Sequence, residues 1–229
     1  MRFLRVVRLL LVSAACAFLA VADGTVVLAQ PRLERGYTTS LSERAAEAYG
    51  RKFGPGTRAR LDTWKRYAAE RKASPLGEAE LLRDVNRMFN RIKFVDDATH
   101  WGEEDYWATP AESVGSNGGD CEDFSIAKYF LLKELGIPIA KLRMTYVKAI
   151  KLNQPHMVLA YYARPDADPL VLDNLEDTVR PASQRPDLVP VYSFNDEEVW
   201  IEMRGRSGSP RQIRNWNLLM ERLERESRN

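Results

Sequence analysis

The chain is short of thiols and imidazoles: its 229 residues include two cysteines and two histidines. Cys16 falls within the first 29 residues, which read as an export leader, so the mature chain keeps a single thiol, Cys121. One cysteine excludes an internal disulfide, and an exported lone thiol risks oxidation. Such a residue is either a buried small hydrophobe or is kept for its reactivity. An excess of charge of one sign is also missing. Losing Arg2, Arg5, Arg8 and Asp23 with the leader takes 34 basic and 32 acidic residues to 31 of each. That balance gives no electrostatic footprint for a nucleic-acid partner, and the arginines are scattered along helices as solvated faces. Beyond the leader no apolar run is long enough to span a bilayer. Internal repeats and low-complexity segments are absent as well.

The leader itself is a basic start, Met-Arg-Phe-Leu-Arg-Val-Val-Arg, then a nearly uncharged stretch from Leu9 to Val21, ending in small residues before Val27-Leu28-Ala29 and Gln30. This pattern predicts secretion with cleavage near Ala29–Gln30, the alternative being an uncleaved N-terminal anchor. Residues 30–229 then form one domain of roughly 200 residues with a real core.

Periodicity divides that domain into helices followed by strands. Leu61, Trp64, Tyr67 and Ala68 lie at helical spacing in a segment from Thr57 to Arg71. Ser74-Pro75 starts another helix whose apolar face runs from Leu81 to Ile92. Phe94 to Asp120 reads as a polar and aromatic loop, and Phe124 to Leu135 returns to helical spacing before Gly136 and Pro138. Strands are expected at 142–147, 157–162, 170–172, 191–194 and 199–203, in an antiparallel meander, with a closing helix around Ile213 to Leu223. Helices first and strands afterwards predict an α+β fold.

Cys121 therefore stands at a loop-to-helix junction. Free N–H groups and the positive end of the helix dipole favour a thiolate there and can bind an oxyanion. Gly118-Gly119 beside it would let a substrate backbone approach. A nucleophilic thiol also needs a base and something to orient that base. His156 opens an apolar strand and is a better placed base than His100, which lies in the aromatic loop. Asp173 ends the next strand, seventeen positions on, where a carboxylate can hold the imidazole by its second nitrogen.

The order Cys, His, Asp on a helix terminus and two following strands resembles the transglutaminase-like branch of papain-type folds. More narrowly, Gly119-Asp120-Cys121-Glu122-Asp123, His156-Met157-Val158-Leu159 and Val171-Leu172-Asp173-Asn174 are similar to the bacterial transglutaminase-like cysteine proteases of the LapG type. The resemblance covers roughly residues 45–205. It implies a papain-like, transglutaminase-like core and a periplasmic endopeptidase that cuts a large surface adhesin near its N-terminus, dispersing a biofilm. It also implies calcium dependence, and inhibition by the periplasmic part of an inner-membrane cyclic di-GMP receptor. The same residues would serve a transglutaminase if an amine intercepted the acyl-enzyme, and the same fold could act as a noncatalytic binding module.

Asp120, Glu122 and Asp123 place three negative charges beside a thiol that must become negative, which raises its pKa. A bound Ca²⁺, tolerant of irregular oxygen shells, would remove that conflict, and these three are the expected ligands. The alternative is that they merely favour a helix N-terminus. Trp101, Tyr106 and Trp107 are expected either to line the substrate groove or to pin their long loop to the core.

Overall fold

The computed structural model describes residues 36–201 and 205–228. The export leader expected at 1–29 lies outside the described residues. Four helices open the fold: α1 (Tyr37–Ser40), α2 (Glu43–Phe53), α3 (Thr57–Ala73) and α4 (Glu78–Phe89). The Ser42 side chain caps α2 by accepting from Ala45 N–H, satisfying one of the donors a helix start leaves open. Leu81, Leu82, Val85 and Phe89 bury one face of α4, as their spacing demands.

The segment expected to be a loop is more structured. After strand β1 (Lys93–Phe94) it forms α5 (Asp97–His100) and α6 (Pro110–Ser116), then strand β2 (Gly118–Gly119), which pairs in parallel with β1. Thr109 caps α6, Pro110 occupies its first turn, and Glu112 reaches back to Thr109 N–H at 3.0 Å. That reciprocal cap stabilises a helix too short for apolar periodicity to reveal.

Helix α7 (Cys121–Glu134) begins at the thiol. Residues Asp123 to Leu132 are all buried, so α7 is the central helix of the core. It packs on strands β3 (Leu142–Ala149) and β4 (Gln154–Tyr161), which are followed by β5 (Leu170–Leu172), β6 (Arg180–Pro181), β7 (Leu188–Phe194), β8 (Val199–Ile201) and β9 (Gly205–Gly208). Helix α8 (Arg214–Ser227) closes the chain, its Trp216 stacked on Phe130 of α7 with centroids 5.8 Å apart.

These seven strands form one antiparallel sheet in the order β6-β5-β4-β3-β7-β8-β9. It is not a simple meander. The chain runs outward from β3 to β6, then crosses back through residues 182–187 to pair β7 with the free side of β3. Leu142, Met144, Met157, Leu159 and Leu172 join the helix-packed core, while Val147, Val158 and Val171 form a separate buried cluster. Period-two alternation sends the two sets to opposite faces. The fold is thus α+β, and no helix among the described residues is long and apolar enough to cross a membrane.

Candidate active site

Cys121, His156, Trp107, Tyr146 and Tyr192 line one cleft of about 540 Å³. Cys121 is half-buried at the first turn of α7, the end at which backbone N–H groups are free. Ser125 Oγ, one turn on, lies 3.0 Å from Cys121 O and 3.1 Å from Met157 O and shares its one proton between them, which fixes the start of α7 against β4.

His156 and Asp173 are 3% and 1% exposed. Their link, His156 Nε2 to Asp173 Oδ1, is 2.8 Å long. It leaves Nδ1 as the ring nitrogen free to take a proton. Asp173 Oδ1 also accepts from Leu175 N–H at 3.0 Å, and Oδ2 accepts from Arg185 Nη2 at 2.8 Å. Burial acts to raise the Asp173 pKa, but the bond and charge of His156, then Leu175 N–H and Arg185, outweigh it and hold the carboxyl at about 2. Asn90, the residue that caps the end of α4, donates to Asp173 O at 2.9 Å, so the loop after β5 is tied down on both sides.

Arg185 was not legible in the sequence. It sits in the crossing segment between β6 and β7, and its guanidinium also contacts Asp187 at 3.1 and 3.0 Å. Only the crossover gives it a reason to be there.

The acidic residues gather more widely than Asp120, Glu122 and Asp123. Ligand atoms lie within 4.8 Å of one another in three overlapping groups: Asp120, Cys121 and Glu122; Asp97, Asp120 and Asp123; and Asp97, Asp105 and Glu122. Asp97, at the start of α5, and Asp105 are additions the sequence reading missed, although both belong to its acidic loop. Asp123 has a structural task as well, with Oδ1 accepting from Ala108 N–H at 2.7 Å and Oδ2 from Asp120 N–H at 3.4 Å. By contrast, Asp97 Oδ1 and Asp120 Oδ1 are buried with no hydrogen-bond partner. Burial, then neighbouring carboxylates, raises Asp97 to about 7 despite the Tyr106 N–H bond. Burial and the Glu122 charge raise Asp120 to about 8. Orphaned buried oxygens that repel one another fit a hard divalent cation, and the cluster can hold a metal ion.

The same carboxylates act on the Cys121 thiol. Burial, then the charge and hydrogen bond of Glu122 at 3.0 Å and the charge of Asp120, push the Cys121 thiol far above its ordinary value, against the pull of the Met157 amide.

Gly118 and Gly119 serve the packing rather than a substrate's approach. Both are buried, and a Cβ would meet the His100 ring at 2.6 Å or Asp123 at 2.7 Å. Of the three loop aromatics, Trp107 lines the cleft, stacked on Phe194 at 5.7 Å. Trp101 and Tyr106 pack on each other at 5.0 Å, and Trp101 meets His100 edge-on at 4.4 Å, so both pin the loop.

A helix-terminal cysteine sharing a cleft with a buried histidine–aspartate pair, on this α+β core, defines a transglutaminase-like cysteine protease. The chain belongs to the bacterial transglutaminase-like cysteine proteinases, whose family model matches residues 63–207, and within them to the LapG type. It is similar to the solved Legionella pneumophila LapG, with 38% identity over 79% of this chain and 96% of that one, TM-score 0.68. An EGTA-treated structure of that protein matches at 37% identity over the same shares, TM-score 0.69. A calcium-bound one matches at 38% over 79% and 98%, TM-score 0.67. A search of curated protein sequences returned no match.

Proposed function

We propose that this protein is an exported, calcium-dependent cysteine endopeptidase with Cys121 as nucleophile, His156 as base and Asp173 as its orienting partner. The observation that carries this reading is the 2.8 Å His156–Asp173 bond in the cleft that holds a helix-terminal cysteine. His156 takes the thiol proton, and the thiolate attacks a peptide carbonyl while N–H groups at the start of α7 stabilise the oxyanion. The carbon–nitrogen bond breaks as His156 returns the proton to the leaving amine, giving a thioester. Water, deprotonated by His156, then hydrolyses that thioester and restores Cys121.

Calcium would be held by carboxylates of Asp97, Asp105, Asp120 and Glu122, with Asp123 beside them, and would supply the positive charge that lets the thiol ionise. A calcium-bound relative supports this choice of ion. The substrate we infer is the N-terminal region of a large surface adhesin, whose release disperses a biofilm. The leader pattern at 1–29 supports a periplasmic site of action, where the periplasmic part of a cyclic di-GMP receptor would inhibit the enzyme by docking.

Incubation of the protein with an adhesin N-terminal region, with calcium or EGTA, tests this reading. Cleavage giving a new N-terminus, lost in Cys121→Ala and suppressed by EGTA, is expected. Cleavage by the alanine variant would refute the nucleophile, indifference to EGTA would refute the metal, and a crosslink without a new terminus would mark an acyl transferase.

A further inference from the structure

The sheet has a second face, and it is not flat. Val147, Val158 and Val171, 3, 2 and 5% exposed, form the buried cluster directed away from α7. They wall a cavity of about 400 Å³, a volume suited to a small molecule. Among the described residues two cationic side chains line it, Arg143 and Arg185, and no carboxylate does. Arg185 is already committed to Asp173 and Asp187.

Arg143 is different. Its guanidinium carbon lies 4.2 Å from the Tyr162 ring centroid and 3.9 Å from that of Trp200, so the cation is clamped between two aromatic rings. Its Nε is buried and has no hydrogen-bond partner. A guanidinium keeps its charge in any protein setting, and stacking leaves its edge donors directed outward in the plane of the fork. Among the described residues no acceptor meets that Nε, and a carboxylate matches the geometry of the fork. The valine walls, in turn, call for an apolar body attached to the anion.

We propose that this cavity binds a small apolar monocarboxylate, with its hydrocarbon against Val147, Val158 and Val171 and its carboxylate on Arg143. The site is separate from the cysteine cleft but shares a wall with it, since Tyr192 lines both. The occupant would also lie against Arg185, the residue that holds Asp173.

Octanoate is the probe, titrated calorimetrically into the full mature chain beside octan-1-ol, the same tail without the charge. We expect saturable one-site binding of octanoate, at least tenfold tighter than octanol. Arg143→Met, which keeps an unbranched side chain between the rings, should weaken octanoate tenfold or more and leave octanol unchanged. Equal affinity for acid and alcohol, or wild-type octanoate binding by the variant, would overturn the proposal as unspecific apolar uptake. Should the variant melt early, photolabelling of the wild type with 4-benzoylbenzoate decides: adducts on β3, β4 or β5 support the site, and adducts elsewhere refute it. Both readouts are independent of proteolysis, so the outcome stands whatever becomes of the peptidase reading.

Discussion

Arg185 Nη2 grips Asp173 Oδ2 at 2.8 Å while the other oxygen of the same carboxylate holds His156. The arginine thus acts on His156 through the aspartate, and fixes where Asp173 can point. A planar fork shared between Asp173 and Asp187 does this in a way a lysine cannot. Arg185→Lys should therefore lower kcat by about 10²-fold, the scale that an ångström of misplacement brings, with KM little changed. Steady-state kinetics checks the split, and alkylation of Cys121 by iodoacetamide across pH checks the cause. A variant with normal kcat and a normal alkylation profile would show the arginine to be a structural tie only.

How much of this was readable beforehand depended on range. Helix α7 and the thiol at its start followed from Phe124, Ala127, Phe130 and Leu131 at helical spacing, and β4 from its apolar run after His156. Helix α6 escaped because seven residues carry too little periodicity, although Thr109-Pro110-Ala111-Glu112 is a capping signal in its own right. Arg185 and Asp97 escaped for another reason. Their roles arise from the crossover to β7 and from the return of the acidic loop to α7, and no local pattern encodes either meeting.

Asp173 sets an acid limit on stability. Its folded pKa, about 2, lies below the usual carboxylate value, so its contribution is complete above pH ~4 and is lost as pH falls through about 2. The shift corresponds to about 2 kcal/mol. Urea unfolding of wild type and Asp173→Asn between pH 2 and 6 should show a constant gap above pH ~4 that closes toward pH ~2. A gap that persists undiminished to the lowest pH would mean the carboxylate's ionisation is not what stabilises the fold.

The acidic cluster has the opposite sign. Burial and mutual repulsion raise Asp97 to about 7 and Asp120 to about 8, so the metal-free fold is strained by their ionisation. Stability without calcium should fall as pH rises from ~4 toward ~8, because the unfolded chain ionises first. With calcium the ionised form is the one that binds, and the loss should disappear. Calorimetric melting in EGTA and in calcium at pH 5, 6.5 and 8 measures the difference, which should widen upward. A melting temperature in EGTA that ignores pH would remove the strained cluster, and Asp97→Asn, at one of the two added carboxylates, should weaken calcium binding about tenfold or more.

The two glycines before Asp120 and Cys121 distinguish packing from metal binding. A Cβ on Gly118 would strike the His100 ring at 2.6 Å, and that ring is held by Ser116 Oγ at 2.9 Å. A Cβ on Gly119 would strike Asp123 at both Oδ2 and Cβ, 2.7 and 2.8 Å away. Rotating a side chain cannot move a Cβ, so the first turn of α7 must shift, and Cys121 and Glu122 with it. Either alanine should cost about 1–3 kcal/mol of stability as overpacking does, read as a lower melting temperature. Only Gly119→Ala should also weaken calcium binding, since His100 lies outside the carboxylate groups and Asp123 within them. Equal calcium affinity in the two variants would mean that the start of α7 yields without disturbing the cluster, and that the close approach of Gly119 to Asp123 serves the fold alone.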